Sequence, residues 1–171
     1  MTAIQPNVFI LMGVSATGKT TFGTALADAT GGTFFDGDDF HSEANRGKMS
    51  SGQALDDSDR QGWLETLADL VAERADLPFP SFIACSALKE KYREILRSKY
   101  PPLAFIFLTT DPEILRKRIT ERYESGQHFM PPSLLDSQLE TLEKPDEALE
   151  LDVSEPVSEL VSRFLLTYPR R

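Results

Sequence analysis

Short runs of uninterrupted apolar residues alternate along the chain with longer stretches whose apolar positions recur every three or four residues. Val8-Phe9-Ile10-Leu11-Met12 opens the series. It is too short for a helix and has no polar alternation, the pattern of a strand buried on both faces. Lys19 to about Ala29 has helical character and stops at Gly31-Gly32, a C-terminal signal. Thr33-Phe34-Phe35 predicts a second strand running into Asp36-Gly37-Asp38-Asp39. Phe40 to Asp56 is polar with little period, and a stretch of that length inside a compact domain is functional or carries short helices. Asp57 or Ser58 is expected to cap a helix whose apolar stripe is Trp63, Leu64, Leu67, Leu70 and Val71.

Phe82-Ile83-Ala84-Cys85 reads as a third strand, Lys89 to Lys99 as a helix presenting Tyr92, Ile95 and Leu96, and Leu103 to Leu108 as a fourth strand. Asp111-Pro112-Glu113 is a strong helix start, with a capping carboxylate, proline at the first helical position and an acid in the first turn. That helix carries Ile114, Leu115 and Ile119 on one side and Arg116, Lys117, Arg118 and Arg122 elsewhere. Tyr123 to Pro132 is a polar break, Leu134 to Leu142 is again helical, Ala148 to Val153 alternates as an edge strand does, and Pro156 opens a last amphipathic helix. Strands alternating with helices imply an α/β fold: a parallel sheet of about five strands with helices on both faces, in three layers.

Composition narrows the class. The 171 residues match one domain at ~100–200 residues per domain, expected to span 1–171 without an internal linker or repeat. A single cysteine excludes an intramolecular disulfide, so a reducing cytoplasm is the expected location. No apolar run approaches the ~20 residues that span a bilayer, and Met1 to Asn7 has no basic patch followed by an apolar stretch, so neither membrane nor secretory signal is expected. With 18 Lys+Arg against 27 Asp+Glu, the formal charge is −9. Such a surface repels nucleic acid at long range, so an anionic ligand must be captured by a local cluster of donors.

Gly13-Val14-Ser15-Ala16-Thr17-Gly18-Lys19-Thr20 supplies that cluster. It has the spacing of a phosphate-binding loop and lies where one must, between a buried strand and a helix. The glycines let successive backbone N–H groups curl around an anion at the helix N-terminus. Lys19 reaches the β- and γ-phosphates, and the Thr20 hydroxyl is a Mg²⁺ ligand. Thr21 completes the candidate ATP-binding run. The motif identifies a nucleotide phosphate but no reaction. A motor would end another apolar strand in Asp or Glu, whereas the third ends in Cys85-Ser86 and the fourth in Thr109-Thr110. Asp59-Arg60-Gln61-Gly62 has GTPase-switch spacing, but no predicted strand precedes it and there is no Asn-Lys-x-Asp guanine reader.

The acids sit instead at the end of the second strand. Ligands of parallel sheets gather at the carboxyl ends of strands, so Asp36 and Asp38 should face the phosphate loop. There Asp36 would hold a metal-bound water, and Asp38 would orient or deprotonate an attacking hydroxyl. Buried Cys85 is read as a core thiol, and Trp63 as packing its helix onto the sheet. No set of residues has zinc-ligand spacing.

Met12 to Thr20, Asp36-Gly37-Asp38 with His41, Asn45-x-x-Lys48-Met49-x-x-Gly52, Leu55-x-Asp57-x-Asp59-Arg60-x-x-Trp63-Leu64, Cys85-Ser86-Ala87-Leu88-Lys89-x-x-Tyr92-Arg93, His128-Phe129-Met130 and Ser137-Gln138-x-x-Thr141-Leu142-Glu143 together resemble the gluconokinases. These are relatives of shikimate kinase and the nucleoside monophosphate kinases. The resemblance covers about Val8 to Glu143. It implies the three-layer P-loop kinase fold, transfer of the ATP γ-phosphoryl group to the 6-hydroxyl of D-gluconate, Mg²⁺, a mobile lid at about 122–133, and a homodimer. It further implies that Asp36 supports the metal, that Asp38 faces the acceptor, and that Arg60 holds the acceptor carboxylate. A planar guanidinium offers that carboxylate two parallel hydrogen bonds. His41, Lys48 and His128 are carried over as acceptor contacts, and Arg118 and Arg122 as lid arginines closing over the transferring phosphate. Two departures stand out. The family commonly has Gly-Ser-Gly-Lys where this chain has Ala16-Thr17-Gly18-Lys19, and its lid Gly-His-Phe becomes Gln127-His128-Phe129 after a longer spacer. A kinase for another hydroxy acid such as shikimate, and a nucleotide-binding regulator without turnover, are the other two readings. Retention of Asp36, Asp38, Arg60 and the lid arginines argues against the regulator.

Overall fold

The computed structural model describes residues 5–127 and 131–169. In chain order these form β1 (Val8–Met12), α1 (Lys19–Thr30), β2 (Thr33–Asp36), a 3₁₀ turn (Gly37–Phe40), α2 (Glu43–Ser50), α3 (Asp57–Ala75), β3 (Ser81–Ala84), α4 (Glu90–Arg97), β4 (Ala104–Thr109), α5 (Pro112–Glu124), α6 (Ser133–Thr141), β5 (Leu149–Asp152) and α7 (Val157–Thr167). Five parallel strands lie in the order β2-β3-β1-β4-β5, as the alternating pattern predicts. The alternating segment, β5, is indeed an edge.

The two-residue period of a strand explains how the sheet is covered. On β1, Val8, Ile10 and Met12 point into a core shared with Trp63, Leu64 and Leu67 of α3, Leu96 of α4, Leu115 of α5 and Leu135 of α6. Phe9 and Leu11 point the other way, onto Phe22 and Leu26 of α1 and Leu160 and Phe164 of α7. Both faces are thus sealed, which leaves only strand ends for a ligand. Because the chain leaves β1 for β2 on one side and passes from β3 to β4 on the other, the sheet reverses its order around β1. A crevice forms at the carboxyl edge of such a switch point.

One local expectation shifts and another is filled in. The start of α3 is capped by Asp56, one residue before the predicted cap. The Asp56 carboxylate accepts from the Asp59 N–H while the Asp59 carboxylate accepts from the Asp56 N–H, closing a capping box. Asp57 is drawn away by Lys89, Lys91 and Tyr92 of the neighbouring α4 region. The polar stretch after β2 holds the 3₁₀ turn and α2. Ser42 caps α2 by accepting from Asn45 N–H, and only Asn45 and Met49 of it are buried, too few to register as a period.

Gly37 lies where β2 passes close to β3. A Cβ there would stand 2.2 Å from the Ala84 carbonyl oxygen, a backbone atom that cannot rotate aside. Gly37→Ala is expected to destabilise by about 1–3 kcal/mol, as overpacking does. Thermal unfolding should register this as a fall of several degrees.

Candidate active site

The loop after β1 curls as its glycines predict. Gly13 and Gly18 have φ of +141° and +83°, and a Cβ on Gly13 would meet the Leu108 carbonyl at 2.5 Å. Ala16 also takes a left-handed conformation, φ +67°, which costs a non-glycine residue roughly 1–2 kcal/mol. Ala16, where the resemblance leads one to expect glycine, therefore keeps the curl at the expense of strain. Thr17 ties the loop to itself by donating from Oγ1 to the Val14 carbonyl, 3.0 Å. Lys19 folds back over the loop, its ammonium donating to the Gly13 and Val14 carbonyls at 3.0 and 2.8 Å. Burial lowers its pKa from the usual lysine value, against the opposing pull of Asp38.

Asp36 and Asp38 meet this loop from the end of β2. Thr20 Oγ1 donates to Asp36 Oδ2 at 3.2 Å, and Asp36 Oδ1 accepts from the Asp38 N–H at 3.0 Å. Burial raises the Asp38 pKa, and the neighbouring Asp36 charge raises it further, while Lys19 opposes both. Thr20 and Asp36 place a hydroxyl and a carboxylate together, hard oxygen donors of the kind Mg²⁺ prefers.

A cavity of about 420 Å³ opens from this junction, lined among others by Ser15, Lys19, Asp38, His41, Arg60 and Arg122. His41 is held in its wall: it stacks on Trp63 with ring centroids 4.1 Å apart, and Trp63 Nε1 donates to the Gly37 carbonyl at 2.7 Å. Burial, with Arg60 and Arg46 nearby, lowers the His41 pKa to about 4, so the imidazole is neutral at physiological pH. Arg60 is oriented by donating from Nη1 to the Leu55 carbonyl and, at 3.3 Å, to Tyr92 Oη. The Tyr92 hydroxyl in turn donates to Asp57. Cys85 lies in the same wall, but burial pushes its thiol up to about 12, which removes it as a nucleophile.

Several expected site residues are placed differently. The Lys48 ammonium is engaged by Asp59 at 2.5 Å and does not line the cavity. The basic side chain that α2 turns into it is Arg46, two residues earlier and so about 200° around the helix. Its Nη2 donates to the Asp38 carbonyl at 3.1 Å. Arg118 and Arg122 also separate. Arg118 donates to the Val153 carbonyl at 3.2 Å and lines a second cavity of about 510 Å³, bounded by Thr17, Thr21, Phe22, Val153, Val157 and Leu160. Arg122 lines both cavities. Of the loop residues, Gly13 and Val14 line neither; their carbonyls accept from Lys19. His128 lies outside the described residues.

Sequence reasoning missed Arg46, Gln127 and Gln138, which all line the 420 Å³ cavity. The Ser15 N–H donates to Gln138 Oε1 at 2.7 Å. Gln138 belongs to the Ser137-Gln138-x-x-Thr141-Leu142-Glu143 block, yet nothing local to α6 announces a partner more than a hundred residues away.

An amide nest, its lysine and a strand-end acid pair meeting at one switch point define a P-loop kinase. The chain matches the family described as AAA domain over residues 8–145. It is 44% identical to a gluconokinase of Gluconobacter oxydans over 142 residues, 83% of this chain and 78% of that one. It is 45% identical to the thermosensitive gluconokinase of Escherichia coli, over 85% of this chain and 75% of the relative. The structure of a gluconokinase from Sinorhizobium meliloti superposes with a TM-score of 0.81 at 41% identity, covering 94% of this chain and 90% of the other. The chain belongs to the gluconokinase family of P-loop kinases.

Proposed function

We propose that this protein transfers the γ-phosphoryl group of ATP to the 6-hydroxyl of D-gluconate, releasing ADP and 6-phospho-D-gluconate. The observation that carries the reading is that Lys19 and Asp38, the cation for a phosphate and the acid for a hydroxyl, line one cavity. The 510 Å³ cavity, with an apolar wall of Val153, Val157 and Leu160, suits the nucleoside, and Arg118 belongs to that end. The acceptor takes the other cavity. In the transfer, the bond from the γ-phosphorus to the ADP oxygen breaks as the bond to the acceptor oxygen forms. Asp38 orients the hydroxyl and holds its proton, Lys19 and the loop amides neutralise charge on the phosphates, and Arg122 reaches the transferring group from between the cavities. Thr20 and Asp36 would hold Mg²⁺, which when bound neutralises phosphate charge. Neutral His41 offers the polyol a hydrogen-bonding group, and His128 is proposed for the same side.

Arg60 is assigned to the gluconate carboxylate. Arg60→Lys keeps the charge and loses the fork. Hydrogen bonds to charged groups contribute ~1.5–3 kcal/mol, so the gluconate KM is expected to rise roughly tenfold or more with kcat little changed. An unchanged gluconate KM excludes the contact.

The proposal extends, on the family likeness, to a single domain over 1–171 with a lid at about 122–133, to a homodimer and to the cytoplasm. No helix among the described residues is long and apolar enough to cross a membrane. The deciding experiment is coupled ATP consumption with gluconate, other aldonates, shikimate and nucleoside monophosphates. Strong dependence on gluconate is the expected result. Preference for shikimate moves the acceptor assignment, and consumption indifferent to every acceptor returns the regulator.

A further inference from the structure

The acceptor cavity holds more positive charge than its substrate explains. Among the described residues, the cations on its wall are Lys19, Arg46, Arg60 and Arg122. Lys19 and Arg122 are assigned to the nucleotide phosphates and Arg60 to the gluconate carboxylate, the single anionic group of that acceptor. Arg46 is left over. It projects from α2 (Glu43–Ser50) and donates from Nη2 to the Asp38 carbonyl at 3.1 Å. That oxygen is neutral, and among the described residues Arg46 forms no ion pair, so its charge and its other N–H donors remain for a ligand. Arg60 is held elsewhere, by the Leu55 carbonyl and Tyr92 Oη. The two guanidiniums are therefore tethered to different parts of the wall, and Arg46 is the one fastened to the residue that orients the reacting hydroxyl.

We propose that Arg46 is a product-recognition residue that contacts the phosphate of 6-phospho-D-gluconate; the inference rests on the function proposed above. Transfer moves a phosphoryl group from the nucleotide to the oxygen that Asp38 orients, and so brings a second anion into the acceptor cavity. A phosphate monoester carries roughly −1.5 to −2 charge at pH 7. Asp36, Asp38 and Asp39 stand on the same wall and repel it. A guanidinium at this point offsets that repulsion and gives the phosphate oxygens a planar set of donors. Gluconate itself has a neutral hydroxyl there and gains little from the same group. Arg46 thereby sets how strongly the enzyme retains its product relative to its substrate.

The test is calorimetric. Dissociation constants of gluconate and of 6-phospho-D-gluconate are measured in the wild type, Arg46→Gln and Arg46→Lys, with ADP saturating and divalent metal chelated so that neither ligand is turned over. Both ligands carry the carboxylate assigned to Arg60, so the ratio of the two constants isolates the phosphate. In Arg46→Gln, product binding should weaken relative to gluconate by about fivefold or more, less than a buried charge-assisted bond gives because Arg46 is exposed. Arg46→Lys keeps the charge and should recover part of that preference. Glutamine is a good helix former, so thermal unfolding should be little altered. A structural role, or a contact with the carboxylate, would move both constants together and leave their ratio as it was. An unchanged ratio in Arg46→Gln, or a lysine variant no better than glutamine, overturns the inference alone when the wild type turns gluconate over. Absence of gluconate turnover in the wild type overturns the functional reading and this inference with it.

Discussion

Lys19→Ala is expected to lower kcat by about 10³-fold or more, leaving the protein folded. Phosphoryl transfer offers the protein little covalent chemistry, so most acceleration comes from fixed charge aimed at the phosphate oxygens. Lys19 is the cation built into the loop itself, and its ammonium is held by two loop carbonyls, within the wall of the cavity that also holds Asp38. Removing it deletes that charge without touching the sheet. The apolar residues of β1 and α1 that hold the loop in place (Val8 to Met12, Phe22, Leu26) remain buried. Single-turnover rates and thermal unfolding measured together check this. Near-normal turnover would remove Lys19 from the mechanism, and loss of cooperative unfolding would make its role structural.

Asp38→Asn should reduce the chemical step by about 10²–10⁴-fold, the usual range for a positioned acid or base, with ATP affinity nearly unchanged. A normal single-turnover rate would refute the role. The pH dependence gives a second readout. Burial and the Asp36 charge raise the Asp38 pKa, so the acid limb of the rate profile should lie above the usual carboxylate value, with kcat falling as pH drops through it. Asn should abolish that limb. Stability runs the opposite way. A carboxyl whose folded pKa is raised favours the folded state fully below its unfolded pKa, and this contribution is lost as pH rises through the folded pKa. Above its folded pKa the ionised Asp38 is a burden on the fold, so there Asp38→Asn should unfold at the same temperature or a higher one.

Much of this molecule is readable from its chain because the information is local. The strands are continuous apolar runs, the helix starts at Asp111-Pro112 and stops at Gly31 are single-residue chemistry, and the phosphate loop is contiguous. The acid pair at the end of β2 is legible for the same reason. What escapes involves competition or distance. Asp56, Asp57 and Asp59 all suit a helix cap, and the choice falls on Asp56 only because Lys89, Lys91 and Tyr92 recruit Asp57 across the α3–α4 contact. Lys48 and Arg46 are equally basic on paper, and the rotation of α2 decides which one faces the cavity. Arg118 and Arg122 lie a helical turn apart, yet only their tertiary surroundings send Arg118 to Val153. Gln138 meets Ser15 through the fold alone.

Among the described residues, the two cavities share only Ala16, Gly18, Arg122 and Gln127. Every other described wall residue belongs to one side or the other. Mutation can therefore reshape the pocket framed by α2 and α3 while the opposite one stays as it was. A lineage built on this scaffold can try new alcohols without relearning how to hold its phosphate donor, which makes the architecture readily evolvable toward new acceptors.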